Sequence, residues 1–209
     1  MTAIRVPQRK TVATGNFLRI GGLLALVAAV GVAWLLQPGR AAALAKAELP
    51  ESITGQASVI DGDTIEIRGE RIRLEGIDAP ESGQRCYSAA HKLYRCGANA
   101  ANALDAWIGA AAVTCRIDGT DRYKRLIGTC EVRGADMQAW MVENGHAIAY
   151  RQYSTQYVAA EHRASAAKAG VWQGEFVEPQ LWRQGLRMEG EKPTKAMREG
   201  KFGLAGLSQ

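Results

Sequence analysis

Apolar and polar residues alternate in two adjacent stretches of this chain. Thr64-Ile65-Glu66-Ile67-Arg68 has period two, and the pattern returns after the turn-like Arg68-Gly69-Glu70 in Arg71-Ile72-Arg73-Leu74-Glu75. Successive side chains of a strand point to opposite faces, so each run predicts a half-buried β-strand. In the second run Ile72 and Leu74 face one side, and Arg71, Arg73 and Glu75 face the other. A polar face on a barrel strand is either solvated or lines a site. Ser58-Val59-Ile60 adds a short apolar strand ahead of these two, and strand-like composition recurs over 111–117 and 124–132. Helical spacing appears between them, where Ala98, Ala101, Leu104 and Ile108 predict a helix over 97–108. Asp136 as N-cap and Gly145 as stop bracket a second helix with Met137, Trp140 and Met141 on one face, and a third is expected over 156–168, ended by Gly170. Trp140 and Trp172 read as core residues.

Three strands, a helix, two strands and then helices predict an α+β, mainly β fold. The arrangement expected is a five-stranded OB-type Greek-key β-barrel with about three helices packed outside it. The polar loops between its strands are where a site belongs. The folded domain is expected over 57–182, after an Ala-rich linker over 41–56 that contains Pro50 and Gly55. The stretch 183–209 reads as a disordered tail, because from Glu189 onward it is rich in Gly and Lys and lacks apolar periodicity.

The first 40 residues follow a different pattern. From Ile20 to Leu36 the chain is apolar and uncharged, and Arg5, Arg9, Lys10 and Arg19 precede that run. This is the asymmetry of an inserted segment whose N-terminus stays in the cytoplasm. Its length falls between the core of a cleaved signal and a spanning helix. Ala43-Leu44-Ala45 offers a cleavage site. Residues 1–40 are therefore read as a signal peptide or a signal anchor, which makes the membrane a partner if the segment is retained. Either way the domain lies outside the cytoplasm: periplasmic, secreted or anchored to the inner membrane.

The leader also changes the meaning of the charge. The whole chain carries 26 Lys and Arg against 21 Asp and Glu, a formal +5. Residues 1–40 hold five basic residues and no acidic one, so the rest is balanced at 21 of each. Attraction to a phosphate backbone must then come from local clusters of Arg and Lys. A composition with 47% hydrophobic and 22% charged residues excludes disorder throughout.

Cys86, Cys96, Cys115 and Cys130 all follow the leader, and none forms a C-x-x-C pair of the zinc or redox kind. An even count in an exported domain suggests disulfides, with three connectivities open. Cys115 and Cys130 lie in strand-like stretches that can pair, whereas Cys86 and Cys96 bracket a short polar loop. The expected bonds are Cys86–Cys96 and Cys115–Cys130.

Candidate chemistry sits in two carboxylate loops. Asp61-Gly62-Asp63-Thr64 lies between two strands, and Asp78-Ala79-Pro80-Glu81 follows a third. Loops at the ends of neighbouring strands bring Asp63 and Asp78 to one hard cation, with carbonyls and water completing an oxygen shell that suits calcium or magnesium and favours calcium. Alone, Asp-Gly-Asp is a weak signal, because Asp and Gly dominate turns for conformational reasons. Arg73 and Glu81 nearby complete the parts needed for attack of water on a phosphodiester: a cation, a free carboxylate and a guanidinium. Asp121-Arg122-Tyr123-Lys124-Arg125 supplies a second basic group, or is merely a solvated turn.

Together, the segments Val59 to Thr64, Arg73 to Glu81 and Asp121 to Arg125 resemble, in order, the three signature segments of the staphylococcal-nuclease-like (thermonuclease) family. The resemblance runs from about Ala57 to Trp172. It implies a calcium-dependent endonuclease that hydrolyses DNA and/or RNA to 3′-phosphate products. It implies that Asp63, Asp78 and the main-chain carbonyl of Ala79 bind calcium, that Glu81 is the general base or orients the water, and that Arg73 and Arg125 bind phosphate and stabilise the transition state. By the same resemblance Asp61 lies behind the ligands, Arg122 and Tyr123 hold a terminal nucleotide phosphate, and Tyr150 or Tyr153 stacks on a base. Ala79 stands where the prototype has threonine and Lys124 where glycine is usual. The loop from Ser82 to Cys96 does not resemble the prototype's. The expected enzyme is a monomer with nucleic acid as substrate and no obligate protein partner. The competing reading is a non-catalytic OB-type module that binds nucleic acid or protein at the cell envelope. A structural calcium-binding domain is a third reading, but gives Arg73 and Arg125 no task.

Overall fold

The computed structural model describes residues 49–191. The apolar segment over 20–36, its cleavage site and the last part of the tail lie outside the described residues. Five strands form the frame: β1 (Ser52–Asp61), β2 (Thr64–Ile67), β3 (Glu70–Leu74), β7 (Ala112–Thr120) and β8 (Leu126–Val132). Their order is β3-β2-β1-β7-β8, and β3 pairs with β8 in parallel, so the sheet closes on itself. All other pairings in the ring are antiparallel. This is the OB-type barrel expected from the element order.

Each strand puts its alternate residues inside. Ile65, Ile67, Ile72, Leu74 and Val113 are fully buried, and α1 (Cys96–Ile108) adds Leu104 and Ile108. Burial of each such side chain is worth about 1.5–3 kcal/mol. The β2–β3 hairpin turns on Arg68 and Gly69, at φ of 54° and 84°, the mirror-image turn whose twist matches the strands. Asp136 caps α2 (Met137–Glu143) by accepting from the Ala139 amide at 2.9 Å, and Met137 and Met141 are buried as expected. Trp140 lies half-buried and stacks on Trp107 at 4.6 Å, so it flanks the core rather than filling it. The third helix, α3 (Val158–Ala166), packs on α2, and Gly170–Gln173 forms a 3-10 turn.

Four features differ from the sequence reading. The first strand begins at Ser52, inside the stretch read as linker. Its first half alternates between exposed and half-buried and contains no buried side chain. Backbone pairing with β7, from Ser52 opposite Arg116 to Gln56 opposite Ala112, forms that half without an apolar signal. A two-residue strand β4 (Ile77–Asp78) pairs with a second short strand, Ile148–Ala149, placing Ile148 opposite Asp78. The ribbon β5 (Cys86–Tyr87) and β6 (Leu93–Tyr94) forms within the loop that precedes α1. The short helix α4 (Pro179–Arg183) ends at the first residue read as tail, and hydrogen bonds continue to Glu191.

Both expected disulfides are present, and the four cysteines leave none free. Cys115 and Cys130 are register partners on β7 and β8. Cys86 and Cys96 join the ribbon to the start of α1 in a small second core with Val171, against which Trp172 and Phe176 pack. Disulfides of this kind persist in oxidising compartments. Among the described residues, no helix is long and apolar enough to cross a membrane.

Candidate active site

The two carboxylate loops meet because β2 and β3 are neighbours and β4 follows β3 after a tight turn at Gly76. Asp63 sits just before β2 and Asp78 ends β4, and they are 7% and 1% exposed. The Asp63 carboxylate accepts from the Ala79 amide at 2.9 Å, which ties one loop directly to the other. Glycine permits this approach: a Cβ on Gly62 would come within 2.6 Å of the Ala79 Cβ.

Arg73 bridges the pair. From the polar side of β3 its guanidinium pairs with Asp63, donates to Asp78 at 3.2 Å and donates to the Ile77 carbonyl at 3.2 Å. Burial works against its charge, but Asp63 and Asp78 outweigh that and raise its pKa above the ordinary arginine value. Burial pushes Asp78 upward, opposed by arginine contacts. Asp61 stands behind the cluster and accepts from the Asp63 amide at 3.1 Å. Burial and the Asp63 charge push its carboxyl up to about 6.

Arg125 reaches the same cluster through a hydroxyl. Thr64 donates to Asp63 at 3.3 Å and accepts from Arg125 at 3.3 Å. The 121–125 turn aims that arginine: the Asp121 carboxylate accepts from the amides of Tyr123 at 2.8 Å and Arg125 at 2.9 Å, and from the Arg125 side chain at 2.7 Å. Burial of Asp121 is outweighed by these bonds, which hold its carboxyl below the ordinary range. Lys124 takes φ of 66°, the left-handed conformation that glycine adopts most readily. Arg122 lies over the Tyr123 ring at 4.9 Å, and that ring is 66% exposed.

The remaining sequence candidates are less tightly joined. Tyr150 donates its amide to the Gly76 carbonyl at 2.9 Å, beside the strand that carries Asp78, and its ring packs edge-on to Tyr153 at 4.8 Å. Neither tyrosine is hydrogen-bonded to the carboxylates among the described residues. Glu81 stands at the rim, positioned by Gln84 and Gly97. The fully buried Gln84 accepts from the Glu81 amide at 3.1 Å. A Cβ on Gly97 would lie 1.8 Å from the Glu81 carbonyl oxygen, so only glycine lets α1 start against this loop.

Arg183 joins the cluster without a mark in the sequence. From α4 it donates to both Asp78 oxygens at 2.9 Å and to Glu81 at 2.9 Å. No apolar pattern marks its segment. Gln84 was equally unmarked, although it places Glu81.

The donor chemistry fits a hard cation held by few protein groups. Among the described residues no three His, Cys, Asp or Glu side chains converge as a metal cage. Two buried carboxylates provide oxygen alone, the donor type of calcium and magnesium, with room for carbonyl and water ligands.

A family model described as "Staphylococcal nuclease homologue" matches residues 71–174. That span holds Arg73, Asp78, Glu81 and the 121–125 turn, and stops short of Arg183. Three relatives extend the comparison. Succinoglycan biosynthesis protein ExoI of Rhizobium meliloti (strain 1021) is 45% identical over 129 residues, covering 60% of this chain and 67% of that protein. Probable staphylococcal-like nuclease CAN4 of Oryza sativa subsp. japonica is 33% identical over 138 residues, covering 64% of this chain and 26% of that one. Micrococcal nuclease of Shigella flexneri is 30% identical over 144 residues, covering 60% and 77%. The closed five-stranded barrel agrees with these matches, and the chain belongs to the staphylococcal nuclease family.

Proposed function

We propose that the protein is a calcium-dependent nuclease, acting outside the cytoplasm, that hydrolyses DNA, RNA or both to 3′-phosphate products. The observation that carries this reading is the single cluster of Asp63, Asp78 and Arg73, joined to Arg125 through the Thr64 hydroxyl. A purely structural domain would leave Arg125, joined to this cluster through the Thr64 hydroxyl, without a task. Family membership and the names of the rice and Shigella relatives support the nucleic-acid substrate. The two disulfides support the compartment.

Asp63, Asp78 and the Ala79 carbonyl would hold the ion, with Asp61 fixing the Asp63 loop from behind. When bound, calcium supplies a Lewis acid beside the scissile phosphate. Arg73 and Arg125 bind the phosphate oxygens and stabilise the charge that builds during attack, as charge-assisted donors. Glu81, at the more open edge of the cluster, accepts the proton of the attacking water or orients that water. Arg122 and Tyr123, on the turn that carries Arg125, hold a terminal phosphate. Tyr150 or Tyr153, whose rings pack edge-on to each other, stacks on a base.

The full chain should cleave single- and double-stranded DNA and RNA in calcium, lose that activity in chelator, and leave 3′-phosphate ends by end-group analysis. Tight binding without cleavage in calcium would move the protein to the class of binding modules.

A further inference from the structure

Arg183 occupies the oxygens that a divalent cation needs. Its guanidinium meets the Asp78 carboxylate fork to fork, and one of the same nitrogens reaches Glu81. Asp78 is 1% exposed, so its oxygens have few other partners: one is shared by Arg73 and Arg183, and the other accepts from Arg183. Asp63 is engaged by Arg73, Thr64 and the Ala79 amide. An ion coordinated by Asp78 would therefore meet a guanidinium in place, and two cations so close repel strongly where water is scarce.

The segment bearing Arg183 is strapped down independently of that contact. Gln84 donates to the Val177 carbonyl at 2.6 Å, and Tyr87 to the Glu189 carbonyl at 2.9 Å. Glu191 accepts from the Trp182 indole at 2.9 Å and from the Arg85 amide at 3.2 Å, and Arg187 lies 3.7 Å over the Trp182 ring. Arg183 itself is 37% exposed at its side chain. It can swing into water and loosen the short helix α4, while the segment stays fixed on either side at Val177, Glu189 and Glu191. Burial works against the Arg183 charge, but Asp78 and Glu81 outweigh it and raise its pKa. The guanidinium thus stays charged and competes as a cation at every working pH.

We propose that Arg183 is a tethered competitor for the divalent cation: it neutralises Asp78 and Glu81 in the metal-free protein and is displaced when the site loads. Its hold on both residues couples the two events, so the ion that takes Asp78 also frees Glu81 for water. Arg183 then sets the calcium concentration at which the enzyme becomes active. This inference rests on the calcium reading above.

Calorimetric calcium titration of the full chain, its Arg183→Gln variant and its Arg183→Lys variant tests it without any turnover. Removing a charged, hydrogen-bonded competitor should tighten calcium binding roughly tenfold in Arg183→Gln, with Arg183→Lys in between. A merely structural arginine would weaken binding when lost. Equal or weaker binding in Arg183→Gln overturns the proposal and leaves the calcium reading standing, whereas no calcium binding in any of the three overturns both. Hydrogen exchange on the unaltered protein covers the case of a variant that fails to fold. Calcium should speed exchange over 179–187, against the usual slowing by a bound ligand. Unchanged or slower exchange there overturns the proposal.

Discussion

Arg73 and Arg183 donate to the same oxygen of Asp78 from regions held in place by different means. Arg73 belongs to a strand paired on both edges, antiparallel to β2 and parallel to β8, so backbone register sets the direction of its side chain. It is 16% exposed. Arg183 ends a five-residue helix, too short to stand alone. Side-chain bonds from Gln84, Tyr87 and Glu191 hold the surrounding segment, and Arg183 is 37% exposed. A side chain fixed by two ladders suits a role present in every state of the site. One carried by a strap suits a role that ends when a ligand arrives.

Substitutions separate these two modes of support. The largest effect is expected from Arg73→Gln, which removes the proposed phosphate donor and unbridges Asp63 from Asp78. Turnover should fall by about 100- to 1,000-fold or more in a steady-state cleavage assay, and a change below tenfold would show that the ladder-held arginine is dispensable. Gly97→Ala attacks the support of Glu81, because the new methyl group would meet a backbone oxygen at 1.8 Å. Urea denaturation should register a loss of about 3 kcal/mol, the upper end of overpacking costs. Gln84→Ala strips a partner from both the Glu81 amide and the Val177 carbonyl, loosening rim and strap together. Its expected cost is about 2 kcal/mol, with faster hydrogen exchange over 177–191 and little change in β3. Smallest is Lys124→Gly, which relieves a left-handed lysine at φ of 66°. It should stabilise the fold by about 0.5 kcal/mol, measured as a slightly higher melting temperature; a decrease would mean that the Lys124 side chain holds the turn.

The same contrast explains what was legible in the chain. Ile72 and Leu74 announced β3 because a closed barrel buries one face, and Arg73 followed as its opposite face. Cys115 and Cys130 were readable as partners because paired strands align them. The start of β1 at Ser52 was not, since backbone pairing built it without burying a side chain. Arg183 was invisible for a related reason: no period places it, only single contacts between residues about 100 positions apart. Gln84 looked like an ordinary polar loop residue, and only the three-dimensional path of residues 176–191 gives it a buried role. Lys124 was readable as a departure from the family's glycine; that Asp121 would hold the turn, by accepting from the amides on either side of it, those of Tyr123 and Arg125, was not.

The most direct test of the account is a paired measurement on Glu81→Gln, taking calcium affinity by calorimetry and turnover on a single-stranded DNA substrate. If the cluster is a nuclease centre with Glu81 serving the water, turnover should fall by orders of magnitude while calcium affinity changes by less than about tenfold. Undiminished turnover in that variant would contradict the account.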